Sequence, residues 1–358
     1  YEPIAAKEIV DRMEQLIATT GNSGFHFVDE AAPPALMREV ALEIIKRKLS
    51  VSWWTNIRFE KSFTLDLCRL LKASGCIAVS GGLEVASDRL LQLIDKGVTV
   101  EQVARVNRNF TEAGIMVHAY LMYGFPTQTA QETIDSLEMV RQMFEVGIMQ
   151  SGFWHQFAMT AHSPVGLEPE AFDVINLSKE IGTFANNDLV HKEKSGAVHD
   201  KFSFGLKKSL FNFMHGLCFD FELQEWFDFK IPRTKIASDY IVSVLENEAF
   251  PVYKPNQKVV WLGTKPVLEH FTKHKKGRTF EKARINVHSK NDLLQVEVDK
   301  EAGKWFVQFY NDLKVNPKGT LSYQQMKKSF EEHTNEDFEP FIFSKQGEQL
   351  RDFGLLIV

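Results

Sequence analysis

The sequence predicts an α/β protein: parallel strand–helix units in the first half, then a helical region and a small α+β module. Three observations carry this reading. Between residues 25 and 160 short apolar runs recur, each separated from the next by a segment of helical spacing. The runs are apolar nearly throughout, as strands are when helices cover them. Three of the helical segments stop at a glycine (Gly75, Gly114 and Gly147), the residue that most easily takes the left-handed conformation ending a helix.

Element by element, residues 5–18 read as a helix and FHFVD (25–29) as the first strand. Pro33 and Pro34 open a helix whose apolar residues Met37, Val40, Ala41 and Ile44 share one face. VSWWTN (51–56) is the second strand, 65–73 a helix, and 76–80 the third strand. Helices follow at 87–94 and 100–113, then a strand at 116–122, a helix at 130–146 and a fifth strand at 152–160. A spacing of roughly 25–40 residues per unit fits a barrel or a doubly wound sheet. In either, function gathers at the carboxyl ends of the strands. Those ends carry Asp29 and Glu30, Asn56 and Arg58, Ser80 to Glu84, Tyr123 to Thr129, and His162 with Ser163.

The pattern changes twice beyond that point. Residues 161–255 hold charge- and histidine-rich loops such as HKEKSGAVHDKF (191–202), helices at 204–218 and 236–248, and the aromatic bulk of Trp226, Phe227 and Phe229. From residue 255, KVVWLG (258–263), RINVHS (284–289), LLQVEVD (293–299) and WFVQFY (305–310) read as strands, and 321–333 as a helix. Strands followed by helices predict a small α+β, winged-helix-like module. Three units follow: 1–165, 166–254 and 255–358.

The 358 residues carry a net charge of −5, which argues against nucleic acid as the main partner. No apolar run approaches the roughly 20 residues of a membrane helix. Cys68, Cys76 and Cys218 are too few and too scattered for a disulfide framework or a zinc or iron–sulfur motif, and a reducing cytoplasm suits them.

Each candidate site residue has a structural reading beside the functional one. Gly81 and Gly82 allow a ligand to approach the backbone before Glu84, whose carboxylate suits a ribose hydroxyl or an amino group; the alternative is a solvated turn. In Gly124-Phe125-Pro126-Thr127-Gln128-Thr129, proline stiffens the turn, and Thr129 with Glu132 three residues on forms a capping box for the next helix. Adjacent carboxylates at Asp29 and Glu30 point to opposite faces, or serve the dipole of the helix at Pro33. His118 and His155 lie within strands; they are core residues or, with Glu84 and Asp29, ligands of a barrel metal. His118, Tyr120 and Met122 share one face by period two.

Four stretches taken together carry a family resemblance: FHFVDEAAPP (25–34), SWWTNIRFE (52–60), LLKASGCIAVSGGLEVASDRLLQLIDKGVTVEQV (70–103) and AGIMVHAYLMYGFPTQTAQETIDS (113–136). In this order they resemble the radical SAM enzymes, most of all the Fe–S oxidoreductases with an elongator-protein-like core, many of which carry an N-terminal cobalamin-binding domain. The resemblance covers about residues 1–165. It implies a partial (β/α)6 TIM-like barrel lacking its first strand, and S-adenosylmethionine (SAM) at the carboxyl ends. Asp29 and Glu30 resemble the segment that meets the methionine amino group. Asn56 and Arg58 resemble positions near the cofactor, and Ser80, Gly82 and Glu84 the ribose and carboxylate contacts. Tyr123, Gly124 and Pro126 resemble the segment beside the adenine, and His162 and Ser163 the turn that closes the site.

The departure from the family is the cluster motif. CxxxCxxC would lie just before Tyr1, and none of the three cysteines takes its place; DxHxxG, the cobalamin pattern, is absent too. The expectation is a truncated piece of a larger enzyme, inactive alone, whose parent holds a 4Fe–4S cluster, and in the cobalamin subgroup cobalamin. That parent receives electrons from flavodoxin or ferredoxin, cleaves SAM reductively and takes hydrogen from a small-molecule or peptide substrate. The alternatives are a metal-dependent lyase or hydrolase on a similar barrel, using His118 and His155, and a non-catalytic binding protein with 255–358 as its active module.

Overall fold

The computed structural model describes residues 4–178, 187–194, 197–247, 252–275, 278–288, 293–315 and 320–358. Residues 195–196, 248 and 289, included in the loop, helix and strand expected above, lie outside the described residues.

Strands β1 (Gly24–Phe27), β2 (Ser52–Ile57), β3 (Cys76–Glu84), β4 (Met116–Tyr123) and β5 (Ser151–Gln156) form one parallel sheet in the order β1-β2-β3-β4-β5. Every strand lies beside its predecessor. With right-handed crossovers throughout, that order places all connecting helices on one face. A doubly wound sheet would show a switch point with helices on both faces. The barrel-type alternative is therefore the one realised, as an open five-stranded segment.

The covering helices are α1 (Ala6–Thr20), α2 (Pro34–Arg47), α3 (Leu65–Ala73), α4 (Asp88–Leu93), α5 (Val100–Glu112) and α6 (Ala130–Glu145). Alternation along the strands sends Trp53, Ile57, Val79, Leu83, Val117, Ala119, Leu121 and Trp154 into the core beneath them. Thr64, Thr99 and Thr129 cap α3, α5 and α6 with their side-chain oxygens, and Thr129 with Glu132 completes a capping box. A short helix α7 (Pro164–Leu167) and the hairpin of β6 (Val174–Asn176) and β7 (His191–Glu193) follow. Helices α8 (Ser203–Met214) and α9 (Tyr240–Glu246) then join the same core through Leu206, Leu210, Phe213 and Ile241.

The last hundred residues form two small antiparallel sheets. One orders β8 (Lys258–Trp261) between β12 (Leu321–Ser322) and β13 (Leu355–Ile357). The other is the meander β9 (Val267–Lys275), β10 (Arg278–His288) and β11 (Leu293–Asp299). Helices α10 (Lys300–Leu313), α11 (Tyr323–Thr334), α12 (Phe338–Ile342) and α13 (Lys345–Asp352) complete the module. WFVQFY, expected as a strand, lies inside α10. Six nearly continuous apolar residues do not separate a period of 2 from 3.6. The longer window does: Ala302, Trp305, Phe306, Tyr310 and Leu313 are the buried stripe. Gly303 lets this helix lie close on the meander, since a Cβ there would sit 2.8 Å from Ala283 and 2.9 Å from Leu268.

The module docks on the outer helices. Asp66 of α3 accepts a hydrogen bond from the Ile357 amide at 3.0 Å, Arg69 pairs with Asp352 at 2.8 Å, and Lys258 with Glu39 at 2.6 Å.

Candidate functional site

One face of the five-stranded sheet carries no helix. Its residues fall into rows set by the parallel register. His26, Trp54, Ala78 and Met116 form the first, and Asn56, Ser80, His118 and Ser151 the second. Gly82, Tyr120 and Phe153 form the third, and Met122 faces His155 in the fourth. Beyond these rows the carboxyl ends of the strands gather the polar residues anticipated above.

At the end of β3 the backbone is unusual. Glu84 takes the left-handed conformation, φ 57°, and the ladder to β4 shifts register between Gly82 and Glu84. A side chain held there costs of order 1–3 kcal/mol, a cost that tends to mark functional sites. The turned chain folds the Glu84 carboxylate back over Gly82, where it pairs with the Lys96 ammonium at 2.7 Å. A Cβ on Gly82 would lie 2.1 Å from that carboxylate and 2.7 Å from the ammonium. Gly82 thus makes room for this ion pair, and the carboxylate is already partnered. The Arg58 guanidinium donates to the Lys96 carbonyl, which ties the end of β2 to the same loop. Asn56 donates from Nδ2 to the Asp29 carbonyl at 3.3 Å, and its own carbonyl accepts the Ala32 amide at 2.9 Å. The side chains of Asp29 and Glu30 stand exposed beyond β1. Ser80 lies buried in the second row.

The turn after β4 is locked by a residue that sequence reasoning passed over. Gln128 is fully buried; its Oε1 accepts the amides of Gly124 at 2.7 Å and Phe125 at 3.2 Å, and its Nε2 donates to Thr133 at 3.1 Å. Gly124 has φ 80°, which glycine adopts freely, and Pro126 is buried in the turn. The sequence shows only a glutamine between two turn threonines, Thr127 and Thr129; its burial, unusual for a turn residue, is visible only in the fold. The Tyr123 ring points to the helix-covered side, edge-on to Trp154, while its hydroxyl donates to Gln156 at 3.3 Å. Also unanticipated is His199, buried against Gly124 and paired with Glu193 at 3.3 Å. Ser163 caps α7 and donates to the Thr160 carbonyl at 2.8 Å, and His162 is exposed; neither bonds to the other candidates among the described residues.

His118 and His155 share the open face but stand two rows apart, and the described residues hold no group of three side chains able to bind a metal. The thiols do not fit an iron–sulfur cluster. Cys68 and Cys76 are buried in the core, and burial pushes the Cys76 thiol up to about 12 and the Cys68 thiol well above its ordinary value, away from the thiolate a cluster needs.

A half-open parallel barrel with polar strand ends and one free face defines a cofactor- and substrate-binding scaffold. Residues 2–140 match the family model of the Radical SAM superfamily, the stretch that holds β1 to β4 and their helices. An anaerobic magnesium-protoporphyrin IX monomethyl ester cyclase of Rubrivivax gelatinosus is 31% identical over 140 residues, covering 38% of this chain and 25% of the relative. An uncharacterized methyltransferase of Pyrococcus horikoshii is 23% identical over 141 residues, covering 39% of this chain and 30% of the relative. Among solved structures, the radical SAM methyltransferase TsrM from Kitasatospora setae, with cobalamin and a 4Fe–4S cluster bound, aligns over 49% of this chain and 34% of its own at 19% identity and TM-score 0.40. The chain thus spans about a quarter to a third of the length of these curated relatives. Among the described residues no helix is long and apolar enough to cross a membrane.

Proposed function

We propose that this chain supplies the SAM-binding carboxyl ends and the substrate-facing wall of a radical SAM enzyme. The observation that supports it best is the coincidence of two independent features within residues 2–140. The family match covers β1 to β4, and these four strands leave one face free with their polar ends clustered around Glu84. In this reading Asn56, Ser80, Glu84 and Lys96 meet the ribose and methionine parts of SAM. The Gly124–Pro126 turn, held by Gln128, lies beside the adenine; His162 and Ser163 border the site. Asp29 and Glu30 offer carbonyls and carboxylates to the cofactor's ammonium. SAM supplies the reactive group when bound; these residues orient it and keep its charged end paired.

The cluster that would reduce SAM does not fit the cysteines of this chain, and no step through it is drawn. Cobalamin, an electron donor such as flavodoxin or ferredoxin, and a small-molecule or peptide substrate belong to the whole protein in this proposal. The curated relatives, a cyclase and a methyltransferase by name, support a small molecule. The test is anaerobic reconstitution of the protein that carries this chain with iron and sulfide, followed by assay for 5′-deoxyadenosine and S-adenosylhomocysteine. SAM turnover into either is expected; a reconstituted cluster with no SAM consumption contradicts the proposal.

A further inference from the structure

The Gly124–Pro126 turn is gripped by a segment that carries none of the groups proposed to meet SAM. Ala197, His199 and Asp200, just before α8, hold it. The Ala197 amide donates to the Gln128 carbonyl at 3.3 Å, and Asp200 Oδ1 accepts from Gln156 Nε2 at 2.6 Å, at the end of β5. Between them His199 packs the root of its ring on Gly124: a Cβ on that glycine would lie 3.2 Å from both Cβ and Cγ of the histidine. Glycine is thus required there twice, by its φ of 80° and by the histidine against it. Phe125, the next residue, meets Phe157 and Phe172 edge-on, centroids 5.1 and 6.1 Å apart. Val174 and Leu189 complete that cluster, a small one separate from the main core.

His199 is itself held. Its Nε2 faces both oxygens of Glu193 in β7, at 3.3 and 3.4 Å. An ionised carboxylate only accepts, so Nε2 carries a hydrogen and Nδ1 is the atom left over. Among the described residues Nδ1 is buried and has no partner. A buried nitrogen without a partner costs free energy that hydration recovers once the ring is uncovered. The carboxylate holds the ring in, and the orphan nitrogen weakens that hold. A contact of this kind, beside a small satellite cluster, belongs to the part of a fold that opens first.

We propose that His199, held by Glu193, is a positioning residue for SAM: it backs Gly124 and keeps the Gly124–Pro126 turn in its binding shape, so that SAM binding and closure of the 197–200 segment on the turn are coupled. This rests on the reading that the turn lies beside the adenine, and it adds the device that sets the turn's shape. The coupling is reciprocal: what tightens the segment tightens SAM, and SAM tightens the segment.

The test combines ligand titration of the whole chain with amide hydrogen exchange. In the wild type, SAM should slow exchange of the Ala197 amide about fivefold or more, although Ala197 borders no part of the cofactor in this reading. His199→Ala should weaken SAM about fivefold or more, the range of one lost hydrogen bond. It should weaken 5′-deoxyadenosine, which carries the adenine without the methionine, by a similar factor, and speed exchange of the Gly124 and Phe125 amides. His199→Gln, whose amide can still donate to Glu193, should recover most of the affinity and the slow exchange. Unchanged SAM affinity in His199→Ala, or no slowing at Ala197, overturns the proposal. So does a loss that His199→Gln shares in full, which would mark His199 as packing alone. If His199→Ala does not fold, exchange at Ala197 in the wild type decides. If the wild type takes up no SAM while His199→Ala still frees the Gly124 amide, the cradle reading fails and the coupling to SAM with it, whereas the hold on the turn stands.

Discussion

Gly81 and Gly82 are adjacent and chemically identical, yet period-two alternation gives them opposite work. Gly81 faces the helices, where a Cβ would lie 2.6 Å from the ring of Phe59, itself buried in the core. Gly81→Ala is therefore expected to destabilise the fold by about 1–3 kcal/mol through overpacking, read as a lower urea midpoint at unchanged slope. Gly82 faces the open side, where a methyl meets only the ends of two flexible side chains, Glu84 and Lys96. Gly82→Ala should leave the unfolding free energy within about 0.5 kcal/mol of wild type and separate the ion pair, so that SAM affinity drops instead. Equal stability losses at the two positions would contradict the assignment of faces. The sequence showed that glycines stand before Glu84; it did not show which filled the core. Nor could it show the Lys96 partner, because the pair forms through a left-handed turn that no local propensity at a glutamate predicts.

Elements were legible where their period was long and their ends were punctuated. All five strands of the sheet and the helices between them stand close to where the alternation of patterns placed them, and threonine caps and glycine stops bound α3, α5 and α6, while β3 runs on to Glu84, past the Ser80 expected. The fifth strand ends at Gln156, earlier than the apolar run through Thr160 implied, since the segment beyond packs Met159 into a separate cluster with Met122 and Phe125 over the strand ends. WFVQFY misled for the opposite reason: an aromatic-rich run has high strand propensity, and packing against the meander decided for helix. The cap of α6 ties this scale to the site. Thr129 accepts the Glu132 amide, and Glu132 also holds Arg89, which reaches back to Thr127. Thr129→Ala is expected to cost about 1 kcal/mol. It should also speed hydrogen exchange of the Gly124 and Phe125 amides, whose partner Gln128 is anchored one residue before the cap. Unchanged exchange at those two amides would separate the cap from the turn.

Across the whole molecule, Asp66 joins the two halves: it sits on α3, is buried, and receives the amide of Ile357. Burial raises its pKa from 3.8 to about 6. Because the folded state holds the proton more tightly than the unfolded state does, stability from this group is present at low pH and lost as pH rises through about 6. Between pH 5 and 7.5 the difference is about 1 kcal/mol. Asp66→Asn, neutral at every pH and still an acceptor for Ile357, should melt above wild type at pH 7.5, with the gap closing toward pH 5. A gap that does not change with pH would mean that Asp66 is not the titrating link. This contact joins residues almost three hundred positions apart, so nothing local in the sequence announced it. The family resemblance, by contrast, was legible because four strand-end motifs recur in one order.

The central claim is that SAM binds across the carboxyl ends of the five parallel strands. It is tested most directly by titrating the deuterated, 15N-labelled chain with SAM and following backbone amide shifts. Saturable shifts are predicted at Asn56, Gly82, Glu84 and Gly124, weakened in Gly82→Ala. Saturable shifts confined to the C-terminal module, or none at millimolar SAM, would contradict it.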